Sequence, residues 1–363
     1  MAERVNIAFR ELGVAEMLKR ILKVGAGAVS VSLLAGTAAF AAPPPHHGVD
    51  EFTPTQDAVG SKLQDVQQQQ RDQTLRSFFD RLNLRRSGRG AMNTADIGTT
   101  GLSAGDAALT EALSAWLSVN YNNAENDFPG IAYDADTYGV SVGLDYKVSD
   151  TVNVGAFLSY SNIDTETPFN GGGSDTDSFS VGPYVSVALS DIFSVDATVG
   201  YTFSQIDNRR LVLGVPVTGE QDASTWFGAV NLSATKWLDN NVGLTGRVGY
   251  SYSHSENDAY IDSTATPVAK TESDLGQLQV AGRVSYYTDG MLPYIGLTYV
   301  HDVERERIIA APLPSDDRDE FIANAGVSFF GEGPISGGID VSYNFGRDDT
   351  DGLGVGANIS FTF

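Results

Sequence analysis

The chain ends, over residues 353–363, with the sequence LGVGANISFTF. Apolar residues alternate here with small or polar ones without exception, and the apolar series ends in Ile359, Phe361 and Phe363. Successive side chains of a strand point to opposite faces, so all the apolar side chains share one face. About 9–11 tilted residues cross a bilayer as a strand, and lipid cannot hydrogen-bond an open sheet edge. The stretch therefore predicts the closing strand of a membrane-spanning β-barrel.

The same period of two recurs upstream, beginning near Trp116. In one example, Tyr138, Val140 and Val142 alternate with Gly139 and Ser141. Twelve such runs are predicted as strands: residues 115–121, 138–146, 152–160, 179–189, 193–203, 226–234, 242–252, 278–286, 293–299, 321–329, 335–345 and 353–363. Short turn-forming links alternate with long polar links between them, as expected of short periplasmic turns and long outer loops. Residues 114–363 are thus predicted to form an all-β, twelve-stranded antiparallel transmembrane barrel.

Composition excludes several classes of function. The chain has 363 residues, no Cys and a net charge of −23. Without Cys there are no disulfides or thiolate metal sites, and this acidity argues against nucleic acid as a partner. Past the amino terminus, no run reaches the roughly 18 apolar residues that a spanning helix needs. We expect no cofactor.

The first 41 residues resemble a secretory signal. Lys19, Arg20 and Lys23 precede an apolar run, and Ala39 and Ala41 supply the small residues required for cleavage after Ala41. Residues 42–57 are rich in Pro, His and polar residues and are predicted to be a flexible linker.

Residues 58–113 are predicted to be largely helical, with a narrow apolar stripe that includes Leu75. Six Arg stand against two Asp between residues 71 and 90, a concentration of positive charge in an acidic chain. The arginines that we expect to mark a plug helix are Arg76, Arg81, Arg85 and Arg86. This segment either lies against an acidic barrel lumen or rim, touches lipid headgroups, or remains in the periplasm as a solvated helix.

Four blocks of sequence resemble the autotransporter β-domain, the translocator barrel of type V secretion. They are WLSVNY (116–121), TYGVSVGLDY (137–146), VGAFLSYS (154–161) and ISFTF (359–363). The resemblance covers roughly residues 113–363. It implies a twelve-stranded barrel in the outer membrane of a Gram-negative bacterium, with a helix before or inside the lumen and a passenger exported to the surface. Residues 42–113, however, offer only a linker and a helix in place of a passenger.

The resemblance also implies partners. Ile359, Phe361 and Phe363 resemble the terminal signal that the barrel-assembly machinery reads, and the outward face would meet outer-membrane lipid and lipopolysaccharide. The sequence leaves the oligomeric state open.

Inward positions are mostly small residues, so we expect volume inside the barrel for a helix or for water. Five charged residues are also predicted to face the lumen: Asp145, Asp196, Arg247, Arg283 and Asp340. They could line a pore, hold the basic helix or pair with one another.

No catalytic or metal site is predicted. His254 lies between Ser253 and Ser255, but neighbouring residues of a strand face opposite ways and cannot form a nucleophile–base pair. The acidic stretches 174–177 and 348–351 lack the spacing of a calcium-binding loop.

Three functions therefore remain: a translocator-like barrel plugged by the preceding helix, a passive pore that favours cations, or a surface structural or adhesive protein that acts through its outer loops.

Overall fold

A computed structural model of the protein describes residue 75 and residues 113–128, 131–305, 317–330 and 334–363. All described residues belong to one compact unit, Pro54–Phe363. The signal sequence with Ala39 and Ala41, the linker, and the helical segment apart from Leu75 and Leu113 lie outside the described residues.

Twelve strands form a closed antiparallel barrel, as the sequence predicts. A separate ribbon of two short strands, β8 (Tyr260–Ile261) and β9 (Pro267–Val268), lies in the connection between β7 and β10. The barrel strands are β1 (Leu113–Asn126), β2 (Tyr133–Lys147), β3 (Val152–Thr167), β4 (Gly172–Ala188), β5 (Phe193–Val212), β6 (Val215–Trp237), β7 (Val242–Asn257), β10 (Thr271–Tyr286), β11 (Met291–Arg305), β12 (Asp319–Phe330), β13 (Ile335–Arg347) and β14 (Thr350–Thr362).

The carboxy-terminal strand closes the barrel by pairing with the first strand. Ile359 lies opposite Leu117, and Phe361 lies opposite Ala115. The backbone N–H of Phe363 donates to the carbonyl of Leu113 at 3.1 Å. Each strand consequently has a neighbour on both sides, which a barrel in lipid requires.

The two faces of the barrel differ in chemistry. Exposed aliphatic and aromatic side chains, such as Leu117, Val142 and Val248, occupy alternate positions and define the outer face. The intervening positions hold mostly buried Ser, Thr and Asn and form the inner face. Among the described residues, no helix has the length and apolar character needed to cross a membrane.

The strands at the outer end are longer than the sequence pattern predicts. Residues 205–224 were expected to form a long polar loop, but β5 and β6 extend through them and leave only the turn Leu213–Gly214. Residues 161–178 likewise contain the ends of β3 and β4. Beyond the bilayer the outer face of a strand meets water and no longer needs apolar residues, so the backbone pairing continues after the hydropathy alternation has stopped.

Several inward glycines have a different role from the one expected. A Cβ added at Gly143 would lie 2.4 Å from the Trp116 ring, and one at Gly200 would lie 2.2 Å from the Phe227 ring. Gly155 lies in the same way under Tyr184. At these positions the small residue makes room for an aromatic ring from another strand, so the expectation of open volume is wrong there.

Candidate functional site

The lumen has one aromatic wall. Trp116, Phe157, Tyr184 and Phe227 point inward from β1, β3, β4 and β6 and form a buried cluster. The ring centroids of Phe157 and Phe227 are 6.4 Å apart. Leu75, which is helical and only 5% exposed, belongs to this cluster, and Ala229 packs against it. An apolar side chain from the segment before the barrel therefore contacts the inner wall.

A chain of hydrogen bonds joins this aromatic wall to Asp145. The Trp116 indole N–H donates to the Tyr184 hydroxyl at 3.0 Å, and that hydroxyl donates to the Asp145 carboxylate. The Ser114 hydroxyl donates to the same carboxylate at 3.2 Å. Asp196 is also buried on the inner face, where it lies opposite Asn231 of β6. Asp145 of β2 and Asp196 of β5 thus lie on strands that stand between those of the aromatic wall.

The facing side of the lumen is polar and carries the two arginines. A cavity of about 120 Å³ is lined by Arg247, Arg283 and Asp340, together with amide and hydroxyl groups of β1 and β10–β14. The Arg283 guanidinium lies 4.0 Å from the centroid of the Tyr294 ring, which fixes its plane by a cation–π contact. All five predicted charges occupy inner-face positions. Arg76, Arg81, Arg85 and Arg86 lie outside the described residues, so their contacts with these charges stay a prediction.

A buried ionic network lies on the inner face at the outer end of the barrel. Asp302 is 0% exposed and lies 3.0 Å from Arg347 and 3.4 Å from Arg305. Arg347 also lies 3.5 Å from Glu320, and Gln277 donates to Asp302 at 2.8 Å. The network ties together β10, β11, β12 and β13.

This network was not predicted from the sequence, because Asp302, Arg305 and Arg347 fall at the ends of strands that were predicted to be shorter. The available signal was the continuing two-residue period, which places Asp302 and Val300 on the same face of β11.

A comparison with known families identifies the barrel. The sequence profile of the Autotransporter beta-domain matches residues 115–341, which is more than half of the chain. The chain belongs to the autotransporter β-domain family. Members are translocator barrels of type V secretion in the outer membrane, so this autotransporter β-domain is an outer-membrane β-barrel of a transport and secretion class.

Three solved autotransporter barrels share the fold of this β-domain. The translocator domain of NalP from Neisseria meningitidis is 12% identical, with a TM-score of 0.61 over 70% of this chain and 89% of that one. The β-domain of the Bordetella autotransporter BrkA is 16% identical, with a TM-score of 0.59 over 69% and 100%. The transport unit of AIDA-I from Escherichia coli is 12% identical, with a TM-score of 0.54 over 77% and 99%. No curated protein matches the chain significantly in sequence.

The three residues of the expected assembly signal all lie on the outer face of the autotransporter β-domain. Ile359, Phe361 and Phe363 are exposed, and the last two rings meet edge to face with centroids 5.0 Å apart. They stand at the end of the barrel that carries the short turns.

A belt of tyrosines and carboxylates surrounds the outer face of the β-domain at the end away from the short turns. Tyr121 donates to Asp136 at 2.6 Å, and Asn123, two residues further along, donates to Asp134 at 2.7 Å. The same arrangement recurs on other hairpins, with Tyr252 and His254 against Asp274, Tyr299 and His301 against Asp319, and Tyr343 against Asp351.

His254 is therefore a member of this outward belt. Its imidazole Nδ1 lies 2.9 Å from Asp274, whereas its neighbour Ser253 is buried on the inner face. Over the described residues, no group of three or more His, Cys, Asp or Glu is arranged to hold a metal ion.

Asp262 organises the outer loop between β7 and β10. Its carboxylate accepts hydrogen bonds from the Thr264 hydroxyl at 2.6 Å and from the Thr266 backbone at 3.0 Å. It also pairs with Arg210 of β5 at 2.6 Å. The Thr264 hydroxyl, followed by the backbone donors and Arg210, holds the pKa of Asp262 below its usual value. The loop thus keeps its ionic tie to the β5–β6 hairpin at neutral pH.

Proposed function

We propose that this protein is a translocator-type outer-membrane barrel whose lumen is occupied and closed by residues 58–90. The observation that carries the proposal is the burial of Leu75 among Trp116, Phe157, Tyr184 and Phe227. A helical leucine in that cluster supports a path of the preceding segment along the inner wall.

The charges of the lumen support the same arrangement. Burial of an ionised carboxylate is costly unless a cation or several hydrogen bonds compensate it. Asp145 and Asp196 are buried on the wall that Leu75 contacts. Arg76 follows Leu75 directly, and Arg81, Arg85 and Arg86 come within three further helical turns. The basic segment would therefore place its charges near these acids.

The distribution of lumen charge gives less support to a passive pore that favours cations. Asp145 and Asp196 lie on one wall, whereas Arg247 and Arg283 line the cavity on the other wall together with Asp340. A lumen with both signs of charge has no strong preference for either sign of ion.

Two partners belong to this proposal. The barrel-assembly machinery would recognise the final strand through Ile359, Phe361 and Phe363. Outer-membrane lipid would cover the aliphatic face, and lipopolysaccharide would surround the outward belt of tyrosines and carboxylates.

A single thiol tests whether Leu75 is enclosed. The chain has no Cys, so a Leu75→Cys variant carries one thiol. In the folded barrel we expect this thiol to resist a bulky, water-soluble maleimide and to react only after denaturation. Leu213→Cys is the matched control, because Leu213 is fully exposed and its thiol should react in the folded state.

A second variant tests the location of Leu75. A thiol pair at Leu75→Cys and Ala229→Cys should form a disulfide when the folded barrel is treated with a small oxidant, because Ala229 packs against the cluster that contains Leu75. Labelling of Leu75→Cys as fast as Leu213→Cys in the folded barrel would show that the segment lies outside the lumen.

A further inference from the structure

The tip of the β5–β6 hairpin is an exposed aliphatic surface, which we call the hairpin tip and define as residues 211–215. Leu213 is 100% exposed and Val215 is 60% exposed. Leu211 and Val212 are also exposed, and Ile261 of the neighbouring ribbon adds another exposed aliphatic side chain. Tight turns at the ends of hairpins normally carry Asn, Asp or Gly.

Leu213 is unfavourable for the isolated hairpin. Leu213 and Gly214 have φ angles of 51° and 80°, so both central residues of this two-residue turn are left-handed. Asn-Gly is the preferred pair for such a turn, and a leucine in this conformation is strained. Because Leu213 is fully exposed, no burial against the described residues offsets that strain. The side chain is therefore available to something outside the protein.

The hairpin holds its tip far from the barrel's own membrane. Leu213 lies twelve residues beyond Tyr201, whose ring packs against Trp226 on the outer face. At about 3.3 Å per residue and a tilt of about 40°, the tip stands about 30 Å above that aromatic pair. The Arg210–Asp262 pair and a 3.0 Å hydrogen bond from the Thr218 backbone to Ser263 brace the hairpin.

Charge and shape indicate which partner suits the tip. Residues 208–219 contain Arg209 and Arg210 and no carboxylate, although the whole chain has a net charge of −23. The Arg209 side chain is 59% exposed and lies 3.9 Å from Asp164, whereas Arg210 is paired with Asp262. A second copy of the chain would bring two strongly acidic molecules together. The hairpin tip is narrow and apolar at its end and on both sides, and the exposed Arg209 lies behind it. These features instead match the interface of a lipid bilayer.

We propose that the hairpin tip inserts into the phospholipid surface of an apposed membrane. Leu213, Val215 and Leu211 enter the acyl boundary, and Arg209 lies at the level of the phosphates. This interaction is independent of whether the lumen is plugged; it requires only that the long hairpins face outward from the cell.

The test uses the full mature chain in lipid nanodiscs and measures its flotation with phosphatidylcholine vesicles. We expect the wild-type protein to float with the vesicles, and to do so also in high salt, because apolar insertion is not screened. Leu213→Asn combined with Val215→Thr should reduce vesicle binding at least about tenfold, since two apolar anchors are lost. Leu213→Asn also creates the preferred Asn-Gly turn, so loss of binding would not arise from misfolding.

The matched control is Leu189→Asn, which removes an exposed leucine at the opposite end of the barrel and should leave flotation unchanged. Three results would overturn the proposal. The first is equal flotation of the wild type and the tip variant, and the second is flotation of neither. The third is pairing of nanodiscs through the tip in the absence of vesicles, which would assign the tip to a second copy of the chain.

Discussion

Deletion of Phe363, or its replacement by Asp, is expected to lower the amount of folded barrel in the outer membrane several-fold at an unchanged transcript level. Phe363 is 50% exposed on the lipid-facing side, and its backbone N–H pairs with Leu113 of the first strand. A lipid-facing charge near the membrane rim costs only about 0–1 kcal/mol. A larger loss would therefore come from failed recognition by the assembly machinery, measured as the heat-modifiable band on a semi-native gel.

Phe329→Asp is the matched control for this effect. Phe329 is also an exposed outward phenylalanine at the same end of the barrel, at 40% exposure, but it lies in β12 rather than at the chain end. It introduces the same charge at a similar depth without altering the terminal strand. If Phe329→Asp and Phe363→Asp reduce the amount of folded barrel equally, the loss comes from the changed lipid contact. The proposal that Phe363 belongs to an assembly signal is then wrong.

Replacing Asp302 by Ala should destabilise the folded barrel by about 3–5 kcal/mol. The change would leave Arg305 and Arg347 close together with their side chains nearly buried and without the carboxylate between them. The expected readout is a lower temperature for the heat-modifiable shift on a semi-native gel, measured in the same detergent as the wild type.

Asp150→Ala is the control for Asp302→Ala. Lys147 and Asp150 lie 2.7 Å apart in a turn at the opposite end of the barrel, but the Asp150 side chain is 94% exposed. Pairs of this kind contribute about 0–1 kcal/mol. An Asp302→Ala barrel as stable as the Asp150→Ala barrel would show that the buried network does not hold β10–β13 together.

Sequence reasoning identified the barrel well where lipid imposes a pattern. In β14, Val355 and Ile359 must face lipid while Gly354 and Gly356 face the lumen, so the period of two is visible in the residues themselves. The inward orientation of the predicted lumen charges follows from the same rule. Asp145, for example, is buried between Leu144 and Tyr146, which are on the outer face.

Prediction of the strands was less accurate where the outer face of a strand is not in contact with lipid. Past Tyr201 and Trp226, polar residues occur on both faces of β5 and β6, so the pattern gave no sign that their pairing continues to Leu213. Contacts between strands were also hidden, since Gly143 under Trp116 depends on the positions of two strands that only the fold brings together. The Asp302 network, which joins four strands, was missed for both reasons.

The proposal of a closed lumen is tested most directly by planar-bilayer conductance of the full mature chain beside a chain that starts near Ala104. Removing the segment that contains Leu75 and the four arginines deletes the contact with the aromatic wall and leaves the described barrel strands complete. We predict low conductance from the full chain and a large rise only in the shortened one. Equal, large conductance from both chains would contradict the plug and would favour an open pore.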